Sequence, residues 1–326
     1  MSLARECGQE ILKNPEYDPL AALSRWFGPS DLAFVNLESQ LSEQGGVTQH
    51  PLNRLVFTGP PGGAEVLARA GIDVVSLANN HAWDYGRAAF LETLGRLTAA
   101  KVRFAGASAE PDAAYRPVTL RVRGWSVALF AVTHIWNYGE FHEHAGRAHV
   151  AWADAARLLP AIVAARTQHD VVLVSYHGGS EYVDVPMRFT KVLARAVMKA
   201  GADAFIGHHP HVPHGIAFMQ ERPVFYSLGN LVFGAHVERP WTGVGFVAKL
   251  VFSRDGPPRV AACPYSISGY TPSPLAAGDT GSELRFRRHI ERLSVGLGGA
   301  RLGERDAEGC LAVLPPGPDL DAPQPN

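Results

Sequence analysis

Four apolar stretches of strand length each break off into residues able to bind a cation or move a proton, and no other feature restricts the fold as strongly. Ala33-Phe34-Val35 runs into Asn36 and Glu38, and Val74-Val75-Ser76-Leu77-Ala78 runs into Asn79-Asn80-His81. Val171-Val172-Leu173-Val174 runs through Ser175 and Tyr176 into His177-Gly178-Gly179, and Ala202 to Ile206 runs into Gly207-His208-His209-Pro210-His211. An α/β sheet gathers the carboxyl ends of its strands along one edge, where ligands bind. Residues far apart in sequence can therefore meet in one cleft. Four such endings with complementary ligand chemistry read as a metal site.

The stretches between them have helix length. Helices are expected over 19–27, 62–70, 87–100, 152–168 and 186–200, with Pro160 bending the fourth and Gly201 closing the last. Strands are expected over 31–37, 72–78, 171–176, 202–206 and 223–228, and residues 118–123 and 125–132 read as a hairpin turning at Gly124. Beyond Gly243 the chain reads as β, over 246–252 and 259–267. Such alternation indicates a layered α/β fold. Residues 1–270 form the expected main domain. Residues 271–313 form an extension with a basic helix near 284–293, and the Pro- and Asp-rich residues 314–326 a disordered tail.

Charge narrows the partners. The formal net charge is −1 with acidic and basic residues interleaved, so there is no electrostatic footprint for nucleic acid or an anionic membrane. No apolar run of about 18 residues offers a membrane span. Residues 1–13 are too polar for a signal peptide, so the chain as written is expected in the cytoplasm. Cys7, Cys263 and Cys310 are isolated, which indicates neither a disulfide framework nor a zinc knuckle. There is no Gly-x-Ser-x-Gly elbow and no Walker loop.

The sharpest local signal is His209-Pro210-His211. In an extended segment side chains two apart share a face, and Pro210 biases His209 toward extended geometry. Neutral imidazole suits zinc, iron or manganese-type ions. His177 ends a buried run and precedes two glycines that permit close approach of a ligand. Asn80 and His81, being adjacent, face different sides of the chain. Asn80 is assigned to metal and His81 to substrate, as proton donor or stabiliser of developing negative charge, with Asp84 orienting its ring. Glu38 can bind or bridge metal, and Asn36 can serve as ligand or support. His134, His142, His144 and His214 read as support, lid or surface. Trp136 and Tyr138 join the histidines at 142 and 144 as a lid.

Together these motifs resemble the CapA family of capsule and poly-γ-glutamate biosynthesis proteins, which share the calcineurin-like metallophosphoesterase fold. The matching stretches are Asn36-Leu37-Glu38, Ser76 to His81 with Asp84-Tyr85-Gly86, and His177-Gly178-Gly179 with Glu181-Tyr182. Gly207-His208-His209-Pro210-His211 and Tyr226-Ser227-Leu228-Gly229-Asn230 complete the set. They stand in family order across roughly residues 1–235. The resemblance implies a four-layer αββα sandwich with two divalent ions of the Mn, Fe or Zn type at the strand ends. It implies Glu38, Asn80, His177, His209 and His211 as ligands and His81, with Asp84, as the catalytic pair. Asn36, Asn79, His208, Glu181 and Asn230 would support the ligands or touch substrate.

The implied activity is metal-assisted hydrolysis of an anionic phosphoester or γ-glutamyl-type substrate, small or polymeric. The competing reading is a non-catalytic component of a polymer synthesis or export complex. The family usually opens with a strand ending in Gly-Asp. Here that strand and its aspartate are expected upstream of Met1, a stretch that could also carry an extracytoplasmic anchor.

Overall fold

The computed structural model describes residues 1–276 and 278–317. The chain begins with helix α1 (Arg5–Lys13) and the short α2 (Ser24–Phe27), followed by strand β1 (Phe34–Asn36). Three small strands come next, β2 (Gln40–Leu41), β3 (Gln49–His50) and β4 (Asn53–Gly59). Then follow α3 (Gly63–Arg69), β5 (Val74–Ser76), α4 (Gly86–Ala99) and β6 (Arg103–Ala105). The middle of the chain supplies β7 (Val118–Val122), β8 (Trp125–Thr133), α5 (Ala155–Arg166) and β9 (Val171–His177). After these come α6 (Arg188–Ala200), β10 (Ala204–His208), β11 (Ile216–Met219) and β12 (Arg222–Phe225). The last part holds β13 (Val244–Ser253), β14 (Gly256–Ser268), β15 (Thr271–Pro274) and α7 (Thr280–Val295). It closes with β16 (Arg301–Arg305) and β17 (Leu311–Leu314).

Two sheets carry the architecture. One has the order β1-β5-β6, all parallel, and the other the order β11-β12-β10-β9-β8-β7, with β12, β10, β9 and β8 parallel. Alternation along β9 shows how the second sheet is covered on both faces. Val171 and Leu173 join the core shared with β1 and β5, whereas Val172, Val174 and Tyr176 join a second core with Leu158 and Ile162 of α5 and Ala194 and Val197 of α6. On the far side of the first sheet, α4 packs against β6 and α3 against α4. The order is helix, sheet, sheet, helix, the αββα layering expected. Each fully buried Leu, Ile or Val contributes about 1.5–3 kcal/mol to holding those layers together.

Local chemistry explains most boundaries. Arg123 and Gly124 both have positive φ, 46° and 81°, which is the primed turn that matches the twist of the β7–β8 hairpin. Gly201 closes α6 in the left-handed region at φ 115°. The helix expected from residue 152 starts later, at Ala155, because the Asp154 side chain accepts from the Ala156 amide at 2.9 Å and caps it, while Trp152 pairs with Thr133.

A third sheet, β13-β14-β17-β16 with β15 on the side of β14, joins the last part of the chain to the strand pair that follows Gly243. It overturns the reading of isolated cysteines, because Cys263 and Cys310 form a disulfide. Antiparallel pairing of Ala261 with Ala312 and Ala262 with Leu311 brings the next positions opposite each other, which linear spacing does not reveal. Cys7 is free and buried. The expected disordered tail falls largely on residues 318–326, outside the described residues, and Leu314 at its start closes β17.

Between β1 and β13 runs an apolar slot of about 460 Å³, floored by Val127, Leu173 and Ile206 and walled by Phe34, Val247 and Leu250. Its inner end reaches Asn36 and His208. Among the described residues β1 and β13 each have a strand ladder on one side only.

Candidate metal centre

Parallel register places the site. His177 and His208 end β9 and β10 as direct partners, and Asn36 ends β1 opposite Ser76 of β5. The chain then turns sharply at each end. Gly207 lets β10 lie against the next strand, since a Cβ there would sit 2.1 Å from the Tyr226 carbonyl oxygen. After β5, the Asn79 side chain donates to the Leu37 carbonyl at 2.8 Å, and its oxygen accepts from the His81 amide at 3.1 Å. That double tie holds the loop carrying Asn80 and His81 over the segment carrying Glu38.

The side chains converge. Nε2 of His177 lies 2.8 Å from Oδ1 of Asn80, 3.2 Å from Nδ1 of His209 and 3.6 Å from Oε1 of Glu38. Glu38, His177 and His209 each offer a ligand atom, all within 4.8 Å of one another, and all three residues are buried. His211 packs beside His209 with ring centroids 6.0 Å apart, and its Nδ1 lies 2.8 Å from Oδ1 of Asn230. Asn36 donates to the other oxygen of Glu38 at 3.3 Å. His208 turns away, edge-on to Phe34, and Glu181 is exposed beside Tyr182.

The route to convergence differs from the sequence expectation. His209 and His211 have φ of 101° and 61°, so the His209-Pro210-His211 segment is not extended. Two left-handed corners flank Pro210, and the imidazoles meet through that bend instead of through strand alternation.

Electrostatics keep two of the imidazoles neutral. Burial first, then the neighbouring histidines, push His177 well below the ordinary imidazole value and His209 down to about 3. Each neutral ring therefore keeps one nitrogen lone pair that a cation can use. Within the Glu38–His177–His209 group, Oε1 of Glu38 and Nδ1 of His177 are buried without a hydrogen-bond partner. A carboxylate oxygen facing imidazole nitrogens with nothing to neutralise it is the arrangement a divalent cation completes.

A second constellation adjoins the first. Nδ1 of His81 lies 2.9 Å from Oδ2 of Asp84, which also accepts from the Phe57 amide at 2.9 Å. The Tyr138 hydroxyl donates to the other oxygen, Oδ1, at 2.7 Å. A carboxylate only accepts, so Nδ1 carries the proton and Nε2 keeps its lone pair. Asn137 accepts from Asn80 at 3.2 Å. The expected lid over 136–144 is thus tied to both constellations, with Trp136, Phe141 and His144 packed on one another.

Sequence reasoning missed the rim of the site. Phe57 stacks on His81 at 4.1 Å, Phe233 and Tyr182 pack on His211 at 4.8 and 5.7 Å, and Arg5 and Arg239 lie over those rings. Burial raises the Tyr182 phenol, Glu181 adds to the rise, and Arg239 and Arg5 oppose it. No motif marks Phe57, Phe233 or Arg239, whereas Tyr182 stands in one of the family stretches.

The fold is thus a layered α/β sandwich that gathers a carboxylate–histidine–asparagine cluster at its strand ends. The model of the family described as bacterial capsule synthesis protein PGA_cap matches residues 2–235, and the chain belongs to that family. It is 31% identical over 252 residues to the PGA biosynthesis protein CapA of Bacillus subtilis, covering 76% of this chain and 65% of that protein. It is 32% identical over 184 residues to the capsule biosynthesis protein CapA of Bacillus anthracis, covering 55% of this chain and 43% of that protein. The matches thus span less than two thirds of either relative. Among solved structures, the sulfate thiohydrolase SoxB of Thermus thermophilus superposes with a TM-score of 0.49 at 15% identity, over 84% of this chain and 46% of that one.

Proposed function

We propose that this protein is a metal-dependent hydrolase of capsule or poly-γ-glutamate biosynthesis, acting on a phosphoester or γ-glutamyl-type bond. The observation that carries the reading is the orphaned Oε1 of Glu38 facing the imidazoles of His177 and His209. Glu38, Asn80, His177 and His209 would hold the cation, with His211 available beside them for a second. When bound, divalent cations supply Lewis acidity to the attacked centre and ready a water nucleophile. The protein's own residues do the rest. Asp84 accepts from Nδ1 of His81 and so aims the ring, and Nε2, once it has taken up a proton from solvent, gives that proton to the leaving atom. Burial keeps bulk water from the cluster, which strengthens every charge interaction within it. The Cys263–Cys310 bridge supports a compartment where disulfides persist.

The test is turnover of a phosphodiester and of a γ-glutamyl peptide by protein reconstituted with manganese, iron or zinc. A full-length preparation that binds no divalent ion would sink the proposal. A non-catalytic role in a polymer-synthesis assembly has one observation in its favour. Glu38 is the single carboxylate in the cluster among the described residues, which is lean for two cations. Loss of polymer in cells carrying His177→Ala, with the assembly intact, would count against that role.

A further inference from the structure

The rim holds two guanidinium groups that form no ion pair among the described residues. Arg5 lies 4.5 Å above the ring of Phe57, which stacks on His81, and 5.8 Å from Phe233, which packs on His211. Arg239 lies 3.8 Å above Tyr182, which packs on the other side of the same histidine. Each guanidinium is therefore one aromatic ring away from His81 or His211. Among the described residues neither makes an ion pair with an acid. Arg5 uses one N–H, to the Arg54 carbonyl at 2.9 Å, and its Nε is buried without a partner. It also has a φ of 54°, a left-handed conformation that costs a non-glycine residue energy and that ordinary helix starts do not need. A half-buried arginine so placed, with most of its donors idle, is set up to receive an oxyanion.

We propose that Arg5 and Arg239 form an anion clamp on the His81–His211 side of the centre, holding an acidic group of the ligand one unit along from the group at the cluster. This subsite rests on the hydrolase reading and gives it a substrate class: a molecule with at least two oxyanions, either a chain of carboxylates or a bisphosphate. The aromatic rings beneath the guanidiniums hold them flat and leave their N–H edges free for bidentate contacts. A ligand with one charge would fill the centre and leave the clamp empty.

Calorimetry on the manganese-loaded protein tests the clamp without needing turnover. The probes are a γ-linked glutamyl hexamer, fructose 1,6-bisphosphate and, as a control with a single acidic group, glucose 1-phosphate. Arg239→Gln, an exposed change, and the double variant Arg5→Gln/Arg239→Gln are compared with wild type, and Arg5→Lys/Arg239→Lys keeps the charge. The multi-charged probe that binds should lose about tenfold in affinity in the Gln double variant, and a smaller factor in Arg239→Gln alone. Glucose 1-phosphate should be unaffected. Whichever of the two probes shows the loss identifies the carboxylate or the phosphate source. Equal affinity of wild type and both Gln variants for every probe, or an equal loss for the control, would overturn the clamp. Metal content of the same samples reports separately on the centre, so the two readings fail independently.

Discussion

Nε2 of His177 and Nδ1 of His209 face each other at 3.2 Å, two imidazole nitrogens from different strand ends pointing at one spot. At most one proton fits between them, and burial keeps both rings neutral. Beside the pair, Oε1 of Glu38 is buried without a hydrogen-bond partner. A shared cation removes that cost.

Manganese should therefore stabilise the protein against heat, by about 2.7 kcal/mol at a concentration a hundredfold above its dissociation constant. His177→Ala and His209→Ala should bind less metal and lose most of that gain. Differential scanning fluorimetry with and without chelator checks this.

Tyr138→Phe removes the donor to Oδ1 of Asp84 and should lower kcat by roughly fivefold, about 1 kcal/mol, with KM nearly constant. Asp84→Asn should cost more, because an amide no longer fixes the His81 tautomer. Steady-state kinetics on a chromogenic phosphodiester separate the two. If Tyr138→Phe raises KM alone, the lid touches substrate and not the proton path.

Burial pushes His214 down to about 4, against the pull of the Val183 carbonyl and Asp184. Its ordinary value is about 6.5, so below that pH the unfolded chain takes a proton that the folded one refuses. Stability should be insensitive to His214 above pH about 6.5 and fall as pH drops toward 4, by up to about 1.4 kcal/mol per unit. Urea unfolding at several pH values, compared with His214→Gln, reads that slope.

Reducing the Cys263–Cys310 bridge frees a loop spanning 47 positions and should cost about 2–4 kcal/mol. Cys263→Ser/Cys310→Ser should unfold at lower denaturant with or without reductant, whereas wild type should shift only with it.

Much of this was legible in the sequence. Runs such as Val171–Val174 and Ala202–Ile206 fall silent as strands only where side chains turn polar, so the strand ends and their cargo could be read together. Adjacency also sends Asn80 and His81 to different partners, Asn80 to His177 at 2.8 Å and His81 to Asp84 at 2.9 Å. What escaped was long-range. Cys263 meets Cys310 only because β14 and β17 pair in one register. Phe57 lies far from any motif and meets Arg5 and His81 only through tertiary packing. The bend at His209 and His211 escaped for another reason, since local preference argued for the opposite backbone.

That bend makes the cluster a loaded spring. Two left-handed non-glycine residues cost roughly 1–2 kcal/mol each, a strain that contacts to the rings offset, among them His211 to Asn230 at 2.8 Å. Stripping the cation would loosen the hold on those rings, so amide exchange should quicken first at this corner and not in the sheets behind it.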